Sequence, residues 1–145
     1  MTLIYDETYP AAPPRRLAEL EERLGARLPE SYRKYLQAQD GGTLASYNNQ
    51  GIEIIFGIGD VPEWASLWPA LNSRGDVIPH GYVPVGTDAG GSLFLLAVTG
   101  HDRGSVWYHS HELEEDDSGH LTPVQNERLS NSWDEFLSSI EPVAG

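Results

Sequence analysis

The run PRRLAELEERLGARLPESYRKYLQAQDGG, residues 14–42, decides the fold. Leu17, Leu20 and Leu24 recur at i, i+3 and i+7, the apolar stripe of an amphipathic helix. Pro14 suits an early helical position, where its missing N–H leaves no bond unmade, and Gly25 suits the residue just past the end. After Leu28 a second helix opens at Pro29. It sets Tyr32, Tyr35 and Leu36 on one face, and Gly41-Gly42 stop it.

Beyond Thr43 the period changes. Ile52 to Phe56, between Gly51 and Gly57, is short and β-branched and reads as a strand. Trp64, Leu67, Trp68 and Leu71 suggest a short helical turn that Pro69 interrupts. Tyr82 to Val85, Leu93 to Val98 and Val106 to Tyr108 read as three more strands, and Leu121 to Val124 as an edge strand because of Pro123. The run Leu93-Phe94-Leu95-Leu96-Ala97-Val98 lacks alternation, so it is expected at the centre of the sheet, covered on both faces. Short connections favour antiparallel pairing. Trp133, Phe136, Leu137 and Ile140 then form a closing helix, with Ser130, Asn131 and Ser132 as N-cap candidates and Asp134 and Glu135 suited to its dipole. The expected fold is α+β: two N-terminal helices, a four- to five-stranded, mainly antiparallel sheet and a C-terminal helix packed on it. It fills one domain, 1–145, with a lead-in at 1–13 and a core at about 14–141.

The chain has no cysteine, which excludes a thiol nucleophile and cysteine-ligated zinc. Residues 1–14 lack the basic start and apolar run of a signal peptide, and no stretch has the ~18 apolar residues of a membrane span, so a soluble, cytoplasmic protein is expected. Net charge is −13 and unevenly placed: residues 1–40 hold seven acids and six bases, residues 41–145 fifteen acids and three bases. That field repels phosphate backbones, which argues against a nucleic-acid partner; it would steer in a basic protein or, on the plainer reading that charge alone favours, merely keep the chain soluble.

Leu20 to Leu36, with Leu24-Gly25, then Leu28-Pro29, then Tyr32 and Tyr35 three apart and Gly41-Gly42 at the close, resembles the N-terminal signature of the SUKH superfamily. Val83 to Phe94, including Gly86, Asp88 and Gly91, resembles its strand–turn–strand block. Val106 to His109 resembles its next strand, and Ser132 to Leu137, with Trp133, Phe136 and Leu137, its C-terminal helix. The resemblance runs in order over about residues 14–141. Two places depart from it: Ser92 stands where the family commonly has an acidic or amide residue, and residues 1–13 match nothing in it. The resemblance implies binding. Bacterial members are typically immunity proteins that block polymorphic toxins, often nucleases, and fungal members of the Smi/Knr type are regulatory interaction proteins. No catalytic residues and no cofactor are implied.

Among candidate sites, Gly86-Thr87-Asp88-Ala89-Gly90-Gly91 lacks the Lys-[Ser/Thr] of a phosphate loop and opens no helix, so its glycines are read as supplying positive φ between strands. His109 and His111 at i and i+2 could face one metal with Glu112 or Glu114, the basis for a weak alternative as a metal-dependent hydrolase. They are read instead as incidental surface histidines, where the strand frays into the acidic stretch, with no metal expected. Glu112, Glu114, Glu115, Asp116 and Asp117 are read either as a solvated loop or, in the light of the resemblance, as a mimic of phosphate density facing a basic toxin domain, with Asp88 a further candidate for partner binding. Trp107, Trp64, Trp68 and Tyr47 are the candidate aromatic anchors. The expected function is that of an immunity-type protein that neutralises a toxin by contact and catalyses nothing; the alternative is a Smi/Knr-like regulatory module with no toxin partner.

Overall fold

In the computed structural model, residues 5–45, 47–73, 78–110, 113–115, 117–123 and 126–143 are described. The elements run β1 (Tyr5–Thr8), α1 (Pro14–Leu24), α2 (Glu30–Ala38), β2 (Gly42–Leu44), β3 (Ile52–Ile55), a 3-10 turn (Glu63–Ala65), α3 (Leu67–Ser73), β4 (Tyr82–Asp88), β5 (Leu93–Ala97), β6 (Val106–His109), β7 (Leu113–Glu115), β8 (Leu121–Pro123), β9 (Asn126–Ser130) and α4 (Trp133–Ser139). Seven strands form one antiparallel sheet in the order β1-β2-β3-β4-β5-β6-β9, and β7 pairs with β8 in a separate ribbon. The α+β class holds, but the sheet is larger than the four or five strands expected. Tyr5–Thr8, Gly42–Leu44 and Asn126–Ser130 are short and carry few large apolar residues, and β1 and β9 lie on the edges, where little apolar burial marks a strand. Leu121–Pro123 pairs with β7, not with the main sheet, so the edge strand expected there is Asn126–Ser130 instead. Val124 lies outside the described residues. The lead-in supplies β1 and Ala12, which is buried and donates its amide to the Leu36 carbonyl (2.8 Å).

All five residues of β5 are buried between β4 and β6, so the run without alternation is indeed central. On the face carrying Phe94, its ring meets Phe136 of α4 at 5.7 Å, and Trp133 of α4 stands edge-on to Tyr32 (4.9 Å) and Tyr35 (5.3 Å) of α2. The Ser132 hydroxyl caps α4 by accepting the Glu135 amide (3.1 Å). Gly25 ends α1 at φ 66°, as expected, whereas α2 stops at Ala38 and Gly42 already belongs to β2. Pro69 does not interrupt α3. It sits in the first turn, where no intrahelical N–H bond is needed.

Asp40, 2% exposed, follows α2 and accepts the amides of Ile58 (2.7 Å) and Gly59 (2.8 Å). The Ile58 carbonyl in turn accepts from Arg16 Nε (2.9 Å) and Trp68 Nε1 (2.8 Å), while the Arg16 guanidinium lies 4.7 Å over the Trp68 ring. The buried carboxylate therefore ties the segment after β3 to the end of α2, and Arg16 ties the same segment to the start of α1.

Burial raises the phenol pKa of Tyr32, with the Asp40 charge adding to it, and burial also raises that of Tyr35, with Tyr5 adding to it. Below about pH 10 both states hold these protons; above it the unfolded chain loses them first, so their contribution falls as pH rises. Unfolding free energy is expected to hold steady to about pH 9 and then drop by up to about 1.4 kcal/mol per pH unit for each of the two tyrosines. Urea titrations at several alkaline pH values check this, and Tyr32→Phe should make the fall shallower. A stability unchanged through pH 11, with all seven tyrosines ionised in the native state, is the contrary result.

Candidate functional site

The acidic stretch falls on the β7–β8 ribbon, inserted between β6 and β9. β7 carries Glu114 and Glu115, and Glu115 and Asp117 are exposed. Glu112, Asp116 and His111 lie outside the described residues. Glu115, Asp117 and the neighbouring Ser118 to His120 are all exposed, which leaves their charge in high dielectric, where it acts on approach rates more than on bound-state energy.

Asp88 ends β4 and ties its turn. Oδ1 accepts the amides of Gly90 (3.0 Å) and Ser92 (2.9 Å), and Oδ2 accepts the Tyr108 hydroxyl (2.7 Å). Of the three glycines expected to supply positive φ only Gly91 does, at 93°; Gly90 and Gly86 do not. Gly86 has another role: it lies in β4 beside the register shift opposite Phe94, and a Cβ there would stand 2.7 Å from the Ile54 carbonyl oxygen of β3. The residue is glycine because a neighbouring strand's backbone comes that close.

Trp107 and Tyr108 are consecutive on β6 and so point to opposite faces. Tyr108 lies against Phe94 (5.4 Å) and bonds Asp88. Trp107 lies edge-on to Tyr82 (6.2 Å), donates Nε1 to Ser105 Oγ (2.8 Å) and has the Arg128 guanidinium 5.9 Å from its ring. The sheet therefore does not bring Asp88 and Trp107 together. Trp68 is locked to Ile58, whereas Trp64 (55%) and Tyr47 (79%) are the aromatic side chains left in solvent.

His109 is not a surface residue: it ends β6 at 1% exposure, in register with Leu93 and Asn126. The strand stays paired on both sides to its last residue where fraying was expected, and the imidazole is buried. His80, His101 and His120 are exposed, and among the described residues no three of His, Asp and Glu group as metal ligands would.

The signature residues Leu28, Tyr32, Trp133 and Phe136 are fully buried, with Leu24, Tyr35 and Leu137 packed against them. The Leu28 amide, ahead of Pro29, donates to Glu21 Oε2 (2.8 Å), and Arg33 stands 3.6 Å from the same oxygen. These residues build the scaffold. Sequence reasoning missed Asp40 and the amide run Asn48-Asn49-Gln50, although an acid directly before a glycine pair and three amides after an aromatic were visible signals.

A family model described as SMI1 / KNR4 family (SUKH-1) matches residues 11–139. The chain is also similar to a protein of Bacillus subtilis (strain 168), the SPbeta prophage-derived uncharacterized protein YokK. The two are 24% identical over 155 aligned positions, which cover 88% of this chain and 75% of that one.

Proposed function

The chain belongs to the SMI1 / KNR4 family (SUKH-1), and from that premise we propose that it is an immunity-type protein that binds and blocks a basic, nuclease-type toxin domain in the cytosol, by contact and without catalysis. The observation that supports this most is the segregation of charge within a family scaffold: fifteen acids against three bases over residues 41–145, with a carboxylate-bearing ribbon in the connection between the paired strands β6 and β9. Such a surface raises the encounter rate with a basic groove and disfavours wrong partners.

The test is co-expression with the C-terminal domain of the protein encoded beside it. Rescue from that domain's toxicity, with co-purification of the two chains, is the expected result. A neighbouring domain that is harmless or does not co-purify would leave a regulatory interaction module as the better reading. Reversing Glu114, Glu115 and Asp116 to lysine should slow association about tenfold at low salt and flatten its salt dependence, with dissociation little changed. Stopped-flow mixing at two ionic strengths measures this, and an unaltered on-rate rejects the steering role of the ribbon.

A further inference from the structure

The loop between β2 and β3 is fastened to the segment after α4 by bonds that span some ninety residues of sequence. The Asn49 amide donates to the Glu141 carbonyl (3.0 Å), the Glu141 amide to Asn49 Oδ1 (2.7 Å), Asn49 Nδ2 to the Ser139 carbonyl (2.7 Å) and Gln50 Nε2 to Ser139 Oγ (3.1 Å). The Val143 amide donates to the Tyr47 carbonyl (3.0 Å), and Asn48 Nδ2 closes the loop onto Ile52 (2.7 Å). This frame holds apolar groups outward. Tyr47 at 79% and Val143 at 47% are two of the three large hydrophobic residues exposed among those described. A connector that only had to join two strands would gain nothing from displaying them in water.

Tyr47 and Val143 line an open cavity of about 530 Å3 together with Leu44, Ile52 and Glu53. A second cavity of about 500 Å3 shares Asn48 and Gly51 with it and is lined by Asp88, Tyr108 and Glu127. The first mixes apolar side chains with one carboxylate, the second is polar with two, and no lysine or arginine is among the described lining of either. Asp88 is held by three hydrogen-bond donors, all of them neutral. Six of the nine basic residues lie elsewhere, at positions 15–34 on and between α1 and α2.

We propose that the adjoining cavities dock an extended segment of a basic partner protein, an apolar side chain packing against Tyr47 and Val143 and an arginine or lysine reaching Asp88. The inference rests on the binding role proposed above and gives that role a surface distinct from the acidic ribbon. Because hydrogen bonds already hold Asn48, Asn49 and Gln50 in place, less ordering is left for binding to carry out. Aromatic rings set in such frames are the usual anchors of interfaces. Charge selects the occupant: a second copy of this chain packed face to face would set Glu53, Asp88 and Glu127 against their own counterparts.

The probe is a blocked pentapeptide, Phe-Gly-Arg-Gly-Arg, titrated into the full-length 15N-labelled chain at low salt, with Phe-Gly-Glu-Gly-Glu as its control. Amide shifts of Tyr47, Gly51, Ile52, Asp88, Glu127 and Val143 are expected to saturate together with the basic peptide only. Tyr47→Ala combined with Glu53→Lys should weaken binding about tenfold. Both side chains are exposed, so the variant's thermal melt should match the parent's, and Val143→Glu tests the same wall independently. Shifts that gather on residues 113–123, equal binding of the acidic peptide, unweakened variants, no saturation, or the same shifts on concentrating the chain alone would each overturn the proposal. The two readings fail separately. Peptide docking without toxin co-purification keeps the groove and removes the toxin, and toxin binding untouched by the groove variants does the reverse.

Discussion

Gly41→Ala is expected to cost about 3–5 kcal/mol of stability, because backbone strain and an immovable contact add at one atom. Gly41 has φ 78°, in the left-handed region that L side chains rarely adopt. A Cβ there would strike the Ile55 carbonyl oxygen and stand 2.8 Å from both the Gly57 nitrogen and the Phe56 carbonyl carbon. Every one of these atoms is backbone, at the end of β3 or just beyond it, on the segment that Asp40 pins through Ile58 and Gly59. No rotamer change relieves the overlap. Gly25→Ala is the matched control: φ is 66°, but nothing lies within 4 Å of the added carbon. It should cost only the conformational strain, about 1 kcal/mol. Urea unfolding of the two variants separates space from strain. Equal losses would show that the close approach of the chain at Gly41 is not what makes alanine intolerable.

Trp133→Ala should be comparably severe, about 3–5 kcal/mol, a large share of the 5–15 kcal/mol typical of a domain. Trp133 is fully buried and meets three rings at once: Tyr32 at 4.9 Å, Tyr35 at 5.3 Å and Phe136 at 5.7 Å. Through the first two it joins α4 to α2, elements a hundred residues apart in sequence. Removing the indole leaves a cavity bordered by aromatic rings, which cannot collapse without moving a helix. Trp133→Phe keeps part of the ring volume and should lose distinctly less. A double-mutant cycle with Tyr35→Leu should find a coupling of about 0.5–1.5 kcal/mol, the edge-to-face contribution. An alanine variant within about 1 kcal/mol of the parent would mean that α4 is not held through this cluster.

Both predictions concern residues whose importance is legible in the sequence, though for different reasons. Trp133 and Phe136 stand three apart on an amphipathic stripe, and Tyr32 and Tyr35 do the same, so their burial follows from helical periodicity. The glycine pair at 41–42 reads as a stop, yet Gly41 is needed because β3 approaches it, a contact between residues fourteen positions apart. The central strand is legible because it is apolar on both faces, whereas the edge strands β1 and β9 and the three-residue β2 are mostly half-buried or exposed, and polarity in so short a strand looks the same as polarity in a loop. His109 was misread because two alternating histidines before an acidic stretch look like a fraying strand, while its burial depends on pairing with Leu93 and Asn126.

By itself, the sequence determined what local periodicity and composition can carry: the helical stripes, the buried central strand, the family-like order of blocks and the acidic bias of residues 41–145. Only the tertiary structure decided which short strands join the sheet, that Asp40 reaches across to Ile58 and Gly59, and that Tyr47 stands beside Val143 at the rim of a carboxylate-bearing groove. Hydrogen bonds between distant segments leave no period in the chain, because the partners are chosen by the closure of the sheet and the docking of α4, not by their neighbours in sequence.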